Sequence, residues 1–213
     1  YAYVSQLLQA RGMKIAIEAH RRAKSYCMGT LYWQFNDCWP VTSWSSLDYY
    51  GNWKAFHYQA KRSFENLLLS VNEENEIYKV FLVNDNFESY SVRLELELLS
   101  FDGKSLWENS KEVTVKENTS INVYEIPKDE FEKFDLKSSV LKVNWEEVKI
   151  NYFFAKPKDL KLQKPNIEIK IINDFMIEIS SDVLAKDVFL SSENEVFFED
   201  NYFDLLPNEK RII

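Results

Sequence analysis

Apolar residues repeat with one period before about residue 67 and with another after it, so the chain cannot form one uniform helical bundle or one sheet. In the first part Val4, Leu7, Leu8, Ile15, Ala19 and Ala23 recur at steps of three, four and seven. This predicts a helix with that stripe facing a core and Gln6, Lys14, Glu18, Arg21 and Arg22 on the opposite face. Gly12 interrupts the pattern at a cost of about 1 kcal/mol relative to alanine. Arg21, Arg22 and Lys24 suit its C-terminal end, where the helix dipole favours cations. Residues 27–35 (CMGTLYWQF) show no alternation. They read as a strand covered on both faces, typically within a parallel sheet. Residues 36–46 are irregular, and residues 53–67 predict a second helix with Trp53, Phe56, His57, Ala60 and Phe64 on one side.

From residue 68 the repeat is two. Ile77, Lys79, Phe81 and Val83 alternate with Tyr78, Val80 and Leu82. Residues 91–100 (SVRLELELLS) place Val92, Leu94, Leu96 and Leu98 inward and Arg93, Glu95 and Glu97 outward. Asp102-Gly103 marks a hairpin turn. Further strands are predicted at 112–115, 120–124, 140–145 and 148–154, with a short helical bridge over 126–134. Short strands at this spacing predict an antiparallel sandwich. A charged, proline-bounded linker spans 156–165. Beyond it, residues 167–172 and 176–179 alternate around an Asn173-Asp174 turn, and 188–190 and 196–198 continue the pattern. Residues 211–213 look like a strand just begun. A domain of roughly 50 residues is marginal for folding alone, so truncation or a docked position is expected for it.

Charge divides the chain at the same place. Residues 1–65 hold 8 Lys/Arg against 4 Asp/Glu, whereas the remainder holds 18 against 30. Four of the six tryptophans, Trp33, Trp39, Trp44 and Trp53, fall in the first part. The expected domains are 1–67, 68–156 and 157–213.

Several function classes are disfavoured. A net charge of −8 argues against nucleic-acid binding. No apolar run is long enough for a membrane helix, and no basic-then-apolar signal segment opens the chain. Cys27 and Cys38 are too few for a disulfide scaffold and read as buried free thiols, although a bridge between them stays open. With His20 and His57 they lie at no zinc-finger spacing, so no metal site is expected. The 4 glycines form no phosphate-cradling loop, and no cofactor is expected. His20 and His57 have no visible Ser or Cys partner, and His57 reads as a packed helix residue. Asn118-Thr-Ser120 fits the glycosylation pattern, a short and weakly specific match.

A strand buried on both faces needs parallel neighbours, and the chain offers none. Residues 1–65 therefore read as the last quarter of a (β/α)8 barrel or the end of an open α/β sheet. In both, function sits at the C-terminal ends of the strands. Here that end is Tyr32-Trp33-Gln34, feeding the tryptophan-rich loop. Indole faces beside short polar side chains suit a sugar, since the ring packs on pyranose C–H groups while Asn, Asp and Gln bond its hydroxyls. Trp33 is the best placed for this, and Trp53, on a helix face, reads as core. Asn36, Asp37 and Trp39 are further substrate-binding candidates; for Asp37 a loop-shaping role weighs equally, because Asp bonds turn backbone. Asp48 reads as a cap or turn residue.

The segment 32–58 (YWQFNDCWPVTSWSSLDYYGNWKAFHY) resembles the end of the catalytic barrel of β-mannosidases in glycoside hydrolase family 2, and EAHRR at 18–22 and YCMGT at 26–30 fit the same stretch. FEDNYFDLLP at 198–207 resembles the closing immunoglobulin-like domain of those enzymes, with Asn208 where glycine is usual. Residues 68–155 match only in type. The resemblance implies an α+β multidomain chain: the last βα unit of a (β/α)8 TIM barrel, then immunoglobulin-like β-sandwich domains. It implies a retaining β-mannosidase as parent, acting on terminal β-mannose of a β-mannoside or manno-oligosaccharide. Such an enzyme uses two carboxylates about 5–5.5 Å apart. In the family both are glutamates on earlier barrel strands, upstream of residue 1, so neither Glu18 nor Glu65 is expected to be catalytic. The partners implied are that substrate and the remainder of the barrel, with no nucleic acid and no membrane. The location implied is periplasmic, secreted or lysosomal. The family also implies that Trp33 lines the sugar subsite, with a cis peptide after it. Three alternatives remain: a carbohydrate-binding or adhesion sandwich using Tyr78, Tyr90 and Trp107, a purely structural scaffold, and a related family 2 β-galactosidase or β-glucuronidase.

Overall fold

The structure, a computed structural model, describes residues 1–146, 148–194 and 196–213. Two helices, α1 (Ala2–Arg22) and α2 (Ala55–Ser63), precede a succession of strands. These are β1 (Leu67–Glu74), β2 (Ile77–Asn84), β3 (Tyr90–Ser100), β4 (Ser105–Val115), β5 (Thr119–Pro127), β6 (Ser139–Trp145) and β7 (Val148–Phe153), followed by β8 (Ile167–Asn173), β9 (Met176–Ser181), β10 (Ala185–Val188), β11 (Phe203–Leu205) and β12 (Lys210–Ile212). They form sheets in the orders β1-β2-β5, β4-β3-β6-β7, β12-β9-β8 and β10-β11, an immunoglobulin-like arrangement. The chain resolves into two compact units: Tyr1–Ser70 with Phe81–Tyr90 and Val115–Val123, and Val71–Val80 with Ser91–Thr114 and Tyr124–Ile213.

In the first unit both helices form where the 3.6-residue repeat predicts them, but α1 buries a different face from the expected one. Val4, Leu8 and Ile15 are exposed, whereas Ala10, Ile17, Glu18 and Arg21 are buried. The buried charges are satisfied. Arg21 donates to the Ser63 carbonyl at 2.6 Å and to Asp85 at 2.9 Å. Glu18 accepts from Ser70 Oγ at 2.7 Å, and Arg22 donates to that hydroxyl at 2.6 Å. Lys24 reaches Asp85 at 2.6 Å. A helix face rich in charge can be enclosed when every group finds such a partner. The start of α2 is closed from a distance: the Ala55 N–H donates to Gln6 Oε1 at 3.0 Å, satisfying a donor that a helix N-terminus leaves free.

The segment 27–35 corrects a second expectation. It is not a buried strand. Among the described residues it joins no strand, and an isolated parallel bridge to Leu47 follows at Asn36. Tyr26, Met28, Leu31, Trp33 and Phe35 are exposed. A run that is apolar on both sides stays bare when no neighbouring strand covers either side.

In β3 of the second unit the period-two reading holds at each position singled out. Val92, Leu94, Leu96 and Leu98 of β3 are buried, and β6 lies antiparallel with Leu141 opposite Leu98 and Val143 opposite Leu96. Gly103 takes a φ of +87° in the turn after β3, the left-handed region that glycine enters without a Cβ penalty. The helical bridge is two 3-10 turns, Lys128–Phe131 and Leu136–Ser138. The hairpin of β8 and β9 turns at Asp174-Phe175, one residue beyond the expected Asn173-Asp174, with Asn173 opposite Met176. Residues 196–198 are irregular instead of a strand, and Phe198 packs on the core of Ile179, Ala185, Val188, Leu190, Phe203 and Leu205. A separate core joins Leu99, Phe101 and Val140 to Leu160, Leu184 and Leu206.

Candidate functional site

The loop that follows residues 27–35 is built around two short polar side chains. The Ser46 hydroxyl, fully buried, donates to the Phe35 carbonyl at 2.8 Å and lies 2.9 Å from His57 Nδ1. The Ser46 amide donates to the Gln34 carbonyl at 3.0 Å, and the Leu47 amide to that of Phe35 at 2.9 Å. These bonds pin residues 34–36 against 46–47, fixing the place where Trp33 emerges. Tyr32 packs edge-on to Phe56 at 4.7 Å, which turns it inward while its neighbour Trp33 points out.

Asp37 is the second anchor. It is buried, and its carboxylate accepts from Ser43 Oγ at 2.6 Å, Ser45 Oγ at 2.7 Å and Lys54 Nζ at 3.1 Å. The hydroxyls of Ser43 and Ser45, aided by Lys54, hold its carboxyl below the usual carboxylate range against the opposing effect of burial. Asp48 closes the next turn: its carboxylate accepts from the amides of Tyr50 and Asn52, each at 2.9 Å, the turn role its type predicts. Both carboxylates of the loop are thus engaged by the loop itself.

Of the four residues expected to bind substrate, Trp33, Asn36 and Trp39 face solvent, and Asp37 faces inward. The Trp33–Gln34 peptide is cis, as is Lys24–Ser25. Trp44, Tyr49 and Tyr50 are also exposed along the loop. Trp53 packs on His57 and Tyr58 at 4.2 and 5.0 Å, in keeping with a core role. The residues missed in sequence were Ser43, Ser45, Ser46 and Lys54. The signal was the SxSS pattern of residues 43–46, beyond Asp37, which only a reversal of the chain could bring back to it.

His57 does have a serine neighbour, contrary to the sequence reading. Ser46 is spent on the Phe35 carbonyl and is sealed from solvent, so the pair cannot present a nucleophile. Burial pushes the His57 imidazole below its ordinary value, leaving it neutral, wedged between Trp53 and Phe35. His20 bonds Thr30 at 2.9 Å. Cys27 and Cys38 are free thiols, and Cys38 is exposed where a buried one was expected. The chemistry on offer is recognition: flat aromatic faces beside amides, with no carboxylate of the loop free to act as acid or base.

The sandwich aromatics give a weaker surface. Tyr78 is buried, ringed by Phe131, Tyr152 and Phe154, and Trp107 is half-buried with its indole N–H on Glu130 at 2.9 Å. Tyr90 is half-buried, its hydroxyl accepting from Asn86. They form no exposed platform.

Residues 76–159 match a family profile described as the mannosidase Ig/CBM-like domain, and residues 162–213 match an Ig-fold domain. The chain is 31% identical to a β-mannosidase of Capra hircus over 88% of its own length and 24% of that enzyme. It is 29% identical to β-mannosidase B of Thermothelomyces thermophilus over 98% of its length and 28% of that protein. Its fold superposes on a β-D-mannosidase of Dictyoglomus thermophilum with a TM-score of 0.87 and 32% identity, covering 99% of this chain and 27% of that one. An exo-chitosanase of Amycolatopsis orientalis shares the fold at a TM-score of 0.73 with 16% identity, covering 97% of this chain and 30% of its own. The chain spans about a quarter of the length of the curated relatives it matches.

Proposed function

From a chain that is related along its length to the β-mannosidases of glycoside hydrolase family 2, we infer a C-terminal portion of a retaining enzyme that releases terminal β-mannose. Residues 1–67 close its (β/α)8 barrel, and 68–156 and 157–213 are its accessory immunoglobulin-like sandwiches. The observation that carries the barrel assignment is the bare apolar surface of the first unit. Val4, Leu8 and Ile15 of α1 and Met28, Leu31, Trp33 and Phe35 of the extended run are all exposed. So much apolar exposure marks a surface built to be covered. A parallel barrel strand and its helix have this character once their neighbours are removed.

In this reading Trp33 stacks on the sugar, Asn36 and Trp39 border it, and Asp37 acts by holding the loop in shape. The nucleophile and the acid/base are supplied by the rest of the barrel, since the loop's two carboxylates are engaged in loop hydrogen bonds. The substrate is accordingly a β-mannoside or manno-oligosaccharide, bound jointly by this segment and the remaining barrel. The full-length protein is expected to turn over an aryl β-mannoside, and the 213-residue chain is expected to show no rate above a buffer blank. A full-length protein inert on aryl β-mannosides, or a purified chain that hydrolyses them, overturns the assignment.

A further inference from the structure

The sheet β12-β9-β8 ends in a strand whose free side is exposed along its whole length. On one face of β8 stand Ile167, Ile169 and Ile171. Ile169 lies opposite Ile179 of β9, and Ile171 opposite Ile177, so this row belongs to the inner face of the sheet. The centre of that face is sealed, with Ile179 at 0% exposure, but its edge is not: Ile169 is 59% and Ile171 76% exposed. On the other face stand Glu168 and Lys170, both exposed. An edge strand offers a row of backbone donors and acceptors to another strand, and natural edges are usually blocked by charge, proline or a bulge.

We propose that β8 pairs edge to edge with β8 of a second copy, antiparallel about a two-fold axis through Ile169. This register is self-complementary. Ile169 meets its own counterpart, Ile167 meets Ile171, and Glu168 meets Lys170, so the pair carries two opposite-charge contacts and a continuous isoleucine row. A shift of two residues in either direction, which keeps the faces matched, centres the axis on Glu168 or Lys170. It then sets Glu168 opposite Glu168 or Lys170 opposite Lys170, a like-charge contact, and loses both charge pairs. Pro165 limits the ladder at one end, since it has no N–H to give, and the Asn173 turn limits it at the other. The lysine that would guard the edge against foreign strands is, in this register, the partner of the glutamate.

The test is sedimentation velocity of the full 213-residue chain over a concentration series, with charge reversals in β8. Both residues are exposed, so folding is undisturbed, and circular dichroism checks it. The parent chain is expected to dimerise. Glu168→Lys and Lys170→Glu each place like charges opposite one another and should weaken the dimer at least 10-fold. The double reversal restores opposite pairing and should recover the parent affinity. Association through the bare barrel surface would respond to none of the three, and that insensitivity overturns the proposal. So does a parent chain that stays monomeric, as when another segment covers the edge, or a double reversal that fails to recover.

Discussion

Replacing Trp33 by alanine separates recognition from stability, because the structure leaves this large ring uncovered. Trp33 is 77% exposed, so roughly a quarter of a side chain that buries up to about 250 Å² when enclosed is in contact with protein. At about 25 cal/mol per Å², the lost burial amounts to at most about 1.5 kcal/mol, and less once the compact denatured state is considered. Phe56 is the control. It is 1% exposed, and truncation of such a ring costs about 3–5 kcal/mol. Urea unfolding of the chain, followed by fluorescence and circular dichroism, should thus show Trp33→Ala close to the parent and Phe56→Ala far below it. On the proposed assignment, Trp33→Ala in the full-length protein should lower kcat/KM on an aryl β-mannoside at least 10-fold, equivalent to about 1.4 kcal/mol of transition-state stabilisation. Two results refute the reasoning. An unchanged kcat/KM removes Trp33 from the sugar site, and a stability loss matching that of Phe56→Ala makes it a core residue.

Asp37 should make the loop sensitive to acid. Its folded value is depressed, so its contribution is complete above the ordinary carboxylate value of 3.8 and fades as pH falls through the lower folded value. Hydrogen exchange at the Ser45 and Ser46 amides is expected to show protection at neutral pH that Asp37→Asn reduces; equal protection in the variant would mean that Ser43, Ser45 and Lys54 order the loop unaided. At Gly103 a Cβ would lie 2.9 Å from Pro207 Cγ on a backbone with φ of +87°. Gly103→Ala is expected to cost about 1–3 kcal/mol in chemical denaturation, and a neutral effect would show that neither the turn nor the approach of Pro207 matters to folding.

Much of the fold was legible because sheet periodicity is local. The alternation Val92, Leu94, Leu96, Leu98 names its own buried face, and the structure agrees at all four positions. The turn at Asp102-Gly103 and, to within one residue, that at Asn173-Asp174 were equally plain, since turn residues are selected by their own backbone angles. The helices were legible as helices but not as oriented ones. The Val4, Leu8 and Ile15 stripe is apolar and points outward, while Glu18 and Arg21 go inside because Ser70, Ser63 and Asp85 meet them. No repeat in the sequence announces partners 42 to 64 residues away. The loop was half legible. Trp33 was picked out as an aromatic and lies exposed, though not at a strand end, whereas the serines and the lysine around Asp37 become a group only after the loop folds back.

Sequence alone therefore determined where helix gives way to sheet, where the turns fall and which strands have two unlike faces, because these follow from the repeat and from the backbone preferences of a few neighbouring residues. Tertiary structure decided which side of α1 is enclosed, that residues 27–35 lie bare, that Asp37 turns inward, and that the isoleucines of β8 end at an open edge. Each of these depends on whether a distant surface arrives to exclude water or complete a hydrogen bond. A stretch of chain specifies what it could pair with, and only the assembled neighbours determine whether it does.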